Sequence, residues 1–284
     1  MRREARSGRR AVGIGRWLRT GSAWRGRLPW RLTAAGVLAA SVLAGWPADG
    51  LAQRGRGGPG AALVGGQSAA LFDLTGYWVS LITDDWRYRM VTPPRGNVDF
   101  LPVNAEGRRV TASWDPAQDE AAGEQCRGYG AVGVMRLPGR LHLTWEDDST
   151  LRIDTDTGTQ TRRLRFGAAV PEAAPTWQGS SVAQWELPGG RGRGPSPDEA
   201  PGQLKAVTTR MRPGYLRKNG VPYGANATLT EYFVPLKDDD GAQYLAVTAF
   251  LEDPQYLAQP YIRTAQFKKL SDATGWNPTP CSAR

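Results

Sequence analysis

His142 is the chain's one histidine, and Cys126 and Cys281 are its two cysteines, so imidazole and thiol chemistry rests on three residues. A Ser-His-Asp arrangement would have to use His142, and no Gly-x-Ser-x-Gly turn accompanies it. His142 also alternates with Leu141 and Leu143, which predicts that it faces away from the apolar side of its strand. One imidazole cannot build a histidine-rich metal site. The acidic turns Glu146-Asp147-Asp148 and Lys237-Asp-Asp-Asp-Gly241 carry enough oxygens for Ca²⁺, but such turns are ordinarily just solvated, and no metal is expected. No phosphate-cradling or dinucleotide glycine pattern stands where a strand would meet a helix, so no cofactor is expected.

What remains is carboxylate, guanidinium and aromatic chemistry. Glu231 and Glu252 are the acids best placed for paired-carboxylate hydrolysis, which depends on a separation that only the fold can set. Glu231 shares an alternation face with Leu229 and Phe233, so burial and an ion pair with an arginine such as Arg163 or Arg263 is the favoured reading. Aromatic residues near arginines suggest a second chemistry. An aromatic wall with a few convergent cations suits a small acid or an anionic lipid fragment, because a guanidinium fork meets a carboxylate with two hydrogen bonds. The candidate ligand-binding residues are Trp78, Arg87, Arg89, Arg163, Glu231, Tyr232 and Arg263, with Phe233 and Phe250 completing the wall. The alternative puts these arginines on an outer face, paired with Asp154, Asp156 and Glu231, and leaves the aromatics to fill the core.

Positioning these groups falls to β-strands. The stretch Ala227–Phe267 alternates with period 2, turns at Lys237–Gly241, alternates again, and yields a third strand at Tyr261–Phe267. Further strands are predicted at Leu74–Thr83, Trp86–Val91, Val132–Leu137, Arg140–Glu146, Thr150–Asp154, Thr161–Phe166, Ser181–Leu187 and Leu204–Met211. Turn residues separate them at intervals of about ten residues, the signature of an antiparallel meander. One helix is expected at Asn104–Asp115, capped by Asn104 and ended by Pro116. Arg210–Ala225 reads as a long loop. The fold class is therefore all-β, a meander closing into a barrel-like sheet with one short helix, since an open sheet would leave sticky edges. A β-sandwich is the alternative.

The first fifty residues follow another logic. Residues 2–31 hold ten arginines and one acid, and a short apolar run at Leu32–Trp46 precedes Gly50-Leu51-Ala52. This order of charge, apolar run and small residues predicts a signal peptide over 1–52, with a retained anchor as the alternative. A flexible lead-in follows at 53–70, then one β domain over 71–284 with a disordered Gly/Arg/Pro insertion at 188–202. The formal charge of +9 resides mostly in residues 1–52, which carry +8; the remainder is near +1. The basic balance is thus no argument for a nucleic-acid partner, and none is expected. Exported cysteines in an oxidising compartment predict a Cys126–Cys281 disulfide.

Several segments carry a resemblance: Leu101–Arg108, Pro138-Gly139-Arg140, Asp154-Thr155-Asp156, Leu204–Thr209, Leu229–Phe233 and Leu251–Pro260, with Trp177–Trp185 a looser match. Together they resemble a family of exported bacterial proteins of unknown function, best over 204–262. The resemblance implies a secreted or periplasmic, lipocalin-like β domain and no particular reaction. The functional expectation is a binding module for a small, partly apolar or anionic ligand, without membrane contact after cleavage. The alternatives are a carboxylate hydrolase in the same cavity and a ligand-free interaction protein. Processing after Ala52 predicts exported material that begins at Gln53 and focuses far below the full-chain isoelectric point of about 9.9; an intact N-terminus by sequencing would contradict it.

Overall fold

The computed structural model describes residues 62–63, 65–167, 174–188 and 202–284. The expected signal peptide and nearly all of the expected insertion at 188–202 lie outside them. Among the described residues twelve strands run in chain order: β1 Ala62–Leu63, β2 Gly76–Leu81, β3 Arg140–Asp147, β4 Thr150–Thr155, β5 Gln160–Phe166, β6 Ser180–Glu186, β7 Gln203–Thr209, β8 Gly214–Arg217, β9 Val221–Tyr223, β10 Thr228–Lys237, β11 Gln243–Glu252 and β12 Tyr261–Lys269. Nine of them close into a barrel in the order β2-β3-β4-β5-β6-β7-β10-β11-β12, with β12 paired back to β2. Every pairing in this ring is antiparallel except β5–β6, which is parallel. That exception is forced, because strands that alternate in direction cannot close a ring of odd number. β1 extends one side of β6, and β8–β9 form a separate hairpin.

The barrel-like all-β fold expected from the sequence is present, and period-2 alternation fills its interior. Leu141 and Leu143 of β3 meet Leu151 and Ile153 of β4, and Phe233, Val247 and Phe267 approach from β10, β11 and β12. Residues 65–74 close one end. Phe72 meets the Trp185 ring edge-on at 5.0 Å, and the Gly66 carbonyl accepts from Trp185 Nε1 at 2.9 Å. The other end is covered by a cap of short helices and the β8–β9 hairpin. There Val132, Leu216, Val221 and Tyr223 pack with Leu229, Leu251 and Tyr261 at the strand ends.

The cap is where the sequence expectations need correction. Among the described residues four short α-helices occur: α1 Trp86–Met90, α2 Ala105–Ser113, α3 Pro116–Ala121 and α4 Ala131–Val134. α2 is the expected helix, and Asn104 Oδ1 accepts from the Gly107 amide at 2.9 Å. Pro116 opens α3 rather than simply ending α2, because Asp115 caps it and proline suits the first helical position. Trp86–Val91 is not a strand. The Tyr88 and Arg89 amides both bond back to the Asp85 carbonyl, so the segment satisfies its own backbone as a helical turn. Val132–Leu137 is not a strand either. All four residues of α4 are buried, and a short run buried on every side has no alternation from which to read its period. The expected loop Arg210–Ala225 folds into β8 and β9 around Gly220. That glycine sits at φ +81° with a Cβ position 2.2 Å from the Trp114 ring, a place where no side chain fits.

One ion pair crosses the barrel interior. Arg162 of β5 and Glu231 of β10 are 0% and 1% exposed and meet through two hydrogen bonds of 3.0 and 2.5 Å. Glu231 is buried and paired, but not with Arg163 or Arg263. Adjacent residues of a strand face opposite ways, so Arg163 lies outside, where Glu146 holds it at 2.6 Å. Removing one partner strands the other charge in the core. Arg162→Leu is expected to cost about 3–5 kcal/mol in denaturant unfolding, and Arg162→Leu with Glu231→Leu to recover most of it. A single variant as stable as the parent would show that the pair is not what holds this part of the interior.

Candidate functional site

The expected ligand wall does not assemble inside the barrel. Trp78 lies there, donating from Nε1 to the Leu74 carbonyl at 2.9 Å, but it is packed among core residues. Tyr232 and Phe250 face outward and meet edge-on at 5.6 Å, with Lys205 over the Tyr232 ring. Arg87 is exposed beside the Trp86 ring. Beside Glu231 the interior leaves about 10 Å³ for water centres, lined by Met135, Val247 and Ala265, which is room for one water at most. Both Glu231 oxygens are held by Arg162, so this acid is not available as a general base or nucleophile. Of the alternative pairings, Asp154 meets Arg152 and Asp156 meets Arg140. Among the described residues no three His, Cys, Asp or Glu side chains converge to hold a metal.

Two of the expected residues do come together, at the capped end. Arg89 turns inward from α1 and Arg263 comes from β12. Asp84 and Asp85, at the exit of β2, join them to Arg136, which follows α4. Asp84 accepts from Arg89 Nη1 at 2.9 Å and Arg136 Nη1 at 3.1 Å; Asp85 accepts from Arg136 Nη2 at 2.9 Å and Arg263 Nε at 3.2 Å. Arg89 Nε also donates to the Arg136 carbonyl at 2.8 Å. Three guanidinium groups thus share two carboxylates. Arg89 is only 7% exposed, and its Nη2 has no hydrogen-bond partner among the described residues.

Beside this cluster opens a cleft lined by Asp85, Tyr88, Arg89, Arg136, Arg217 and Tyr261, together with Lys218 and Gly128. It gives water centres about 40 Å³, a few times the roughly 10–15 Å³ that one water needs. Arg217 reaches it from β8 with only neutral acceptors: the Asn97 carbonyl at 2.7 Å, Asn97 Oδ1 at 3.0 Å, Asn219 Oδ1 at 3.2 Å and the Asp99 carbonyl at 3.3 Å. Its guanidinium lies 4.7 Å from the Tyr88 ring. Lys218 Nζ donates to the Tyr129 hydroxyl at 3.0 Å and also to the Arg284 carbonyl oxygen. Burial holds the Arg217 guanidinium below its ordinary range, and burial with the neighbouring Arg136 charge does the same to Arg89. Both remain cations at neutral pH, yet both sit where added negative charge would be favourable.

Arg136, Arg217, Asp84 and Asp85 were not anticipated from the sequence. The available signals were the Asp-Asp pair just after a strand and the Arg217-Lys218 pair inside a long inter-strand segment. The Cys126–Cys281 disulfide is formed as expected, with Cα atoms 5.1 Å apart. It joins the 3-10 turn Gln125–Tyr129, which supplies Gly128 to the cleft wall, to the C-terminal tail. No family model, curated protein or solved structure matches the chain. The bridge spans 155 residues, for which chain entropy sets a stabilisation of about 5 kcal/mol. Cys126→Ser with Cys281→Ser is expected to lose up to that amount in denaturant unfolding; unchanged stability would mean that the tail is held by its other contacts alone.

Proposed function

We propose that the protein is an exported binding module that takes a small, partly apolar organic anion in the cleft at the capped end of its barrel. The carrying observation is the convergence of Arg89, Arg136, Arg217 and Lys218 on one cleft whose nearest carboxylates are already shared. Tyr88, Tyr261, Leu101 and Leu216 add apolar and aromatic wall. Few polar groups converging in a mostly apolar recess is the usual make-up of a small-molecule site. The available volume favours a short carboxylate or a phosphate over a fatty acid. Export is supported by the arginine-rich, apolar start of the chain and by the disulfide. Among the described residues no helix is long and apolar enough to cross a membrane. A carboxylate hydrolase gains no support, because Glu231 is fully engaged and Glu252 lies exposed at the end of β11.

Calorimetric titration of the full chain with short aliphatic acids, aromatic acids and inorganic phosphate tests this reading. Saturable binding is expected for at least one class. Arg217→Gln should weaken it about ten- to a hundredfold, the value of ~1.5–3 kcal/mol for hydrogen bonds to a charged group. Arg163→Gln on the outer wall should leave it unchanged. No saturable heat with any class, or equal loss in both variants, would overturn it.

A further inference from the structure

We propose that the outer side of this capped end docks on an anionic lipid surface. Five large apolar side chains stand in water there: Trp86 (63% exposed), Met90 (58%), Val91 (68%), Phe100 (74%) and Ile262 (45%). Trp86 and Met90 lie one helical turn apart on α1, and Val91 follows directly. Arg263 gathers the other segments to them. Its Nε meets Asp85, the residue before Trp86; its Nη1 meets the Ile262 carbonyl; and its Nη2 meets the Phe100 carbonyl at 2.7 Å. One guanidinium therefore fixes three chain segments that each present apolar groups outward.

Phe100 carries the argument furthest. Its φ is +60°, the left-handed region that a bulky aromatic rarely adopts. The strain is held in place by hydrogen bonds on either side, from Arg263 to the Phe100 carbonyl and from Arg217 to the Asp99 and Asn97 carbonyls. A locked, strained loop that pushes a phenyl ring into water points from an observed outlier to a role at that surface. The neighbouring charge is basic. Arg87 and Arg95 are exposed and Asp84 and Asp85 are shared by three arginines, which outweighs the exposed Asp99, whose hydrogen bonds come from the neutral Asn97 amide and Tyr88 hydroxyl. Tryptophan and phenylalanine at a basic rim match the level of lipid headgroups, where aromatic rings anchor and arginines meet acidic lipids. A few aromatic anchors with flanking cations suffice for docking at a bilayer. The proposal departs from the sequence expectation of no membrane contact after cleavage. It does not depend on whether the cleft binds an anion.

The test places an environment-sensitive fluorophore at one position of the full chain, through Phe100→Cys or, as a control, Leu236→Cys. Leu236 is half exposed near the other end of β10, and the native cysteines are closed in their disulfide. Vesicles of phosphatidylcholine alone are compared with vesicles containing phosphatidylglycerol. The expected result is a blue shift from position 100 with the anionic vesicles only, lost at high salt, and none from position 236. A label at 100 that never shifts, that shifts equally with both vesicle types, or that shifts no more than the one at 236 would overturn the proposal. Because the readout is local to the rim, vesicle binding through residues 1–52 cannot imitate the expected result, and the small-anion titration can fail or succeed independently.

Discussion

Strands that alternate in direction cannot close a ring of nine, so one neighbouring pair has to run parallel, and β5 and β6 are that pair. Closure leaves the ring without free edges, and the alternation of each strand then sends one set of side chains into a space with no exit but the two ends. Residues 65–74 fill one end with Phe72 against Trp185, and the helical cap fills the other. The interior is consequently a core. Beside Glu231 packing leaves a cavity of about 10 Å³, room for one water at most.

Closure also explains why a full ion pair stands in that core. Arg162 and Glu231 are brought face to face across the barrel by strands that are distant in the chain. Each charge would be untenable alone in such surroundings, and each exhausts the other's capacity for chemistry. Polar groups gather at the capped end, where arginines from α1, β8, β12 and the segment after α4 come to one place. Two aspartates hold three of those arginines, and the fourth, Arg217, is spent on backbone carbonyls and amide oxygens. Positive charge is therefore left over at a cleft, and the same guanidinium groups hold the loops that carry Trp86 and Phe100 outward.

Much of this was legible in the residues. Alternation at 229–234 and 245–251 marks β10 and β11, Asn104 marks the start of α2, and two cysteines in a chain that opens like an exported one mark the disulfide. The errors cluster in the cap and have one cause. Trp86–Met90 and Ala131–Val134 are too short for a period to show, and their conformation is set by what they cover rather than by their own pattern. The candidate residues failed for a related reason. The expected wall groups Tyr232 with Phe233, and the expected ion pair joins Glu231 to Arg163 or Arg263, although neighbours on a strand face opposite sides and Arg162 is the inward one.

The sequence by itself determined local properties: which stretches are strands, which face of each is apolar, where turns fall, and that residues 1–52 carry the basic charge. These follow from interactions between residues a few positions apart. Only the tertiary structure decided which guanidinium meets which carboxylate, that the barrel is full, and that Asp84, Asp85, Arg89, Arg136, Arg217 and Arg263 share one end. Period-2 alternation tells a side chain which way to point and says nothing about what stands opposite it. That partner depends on ring closure and on register between strands more than a hundred residues apart, as β2 and β12 are.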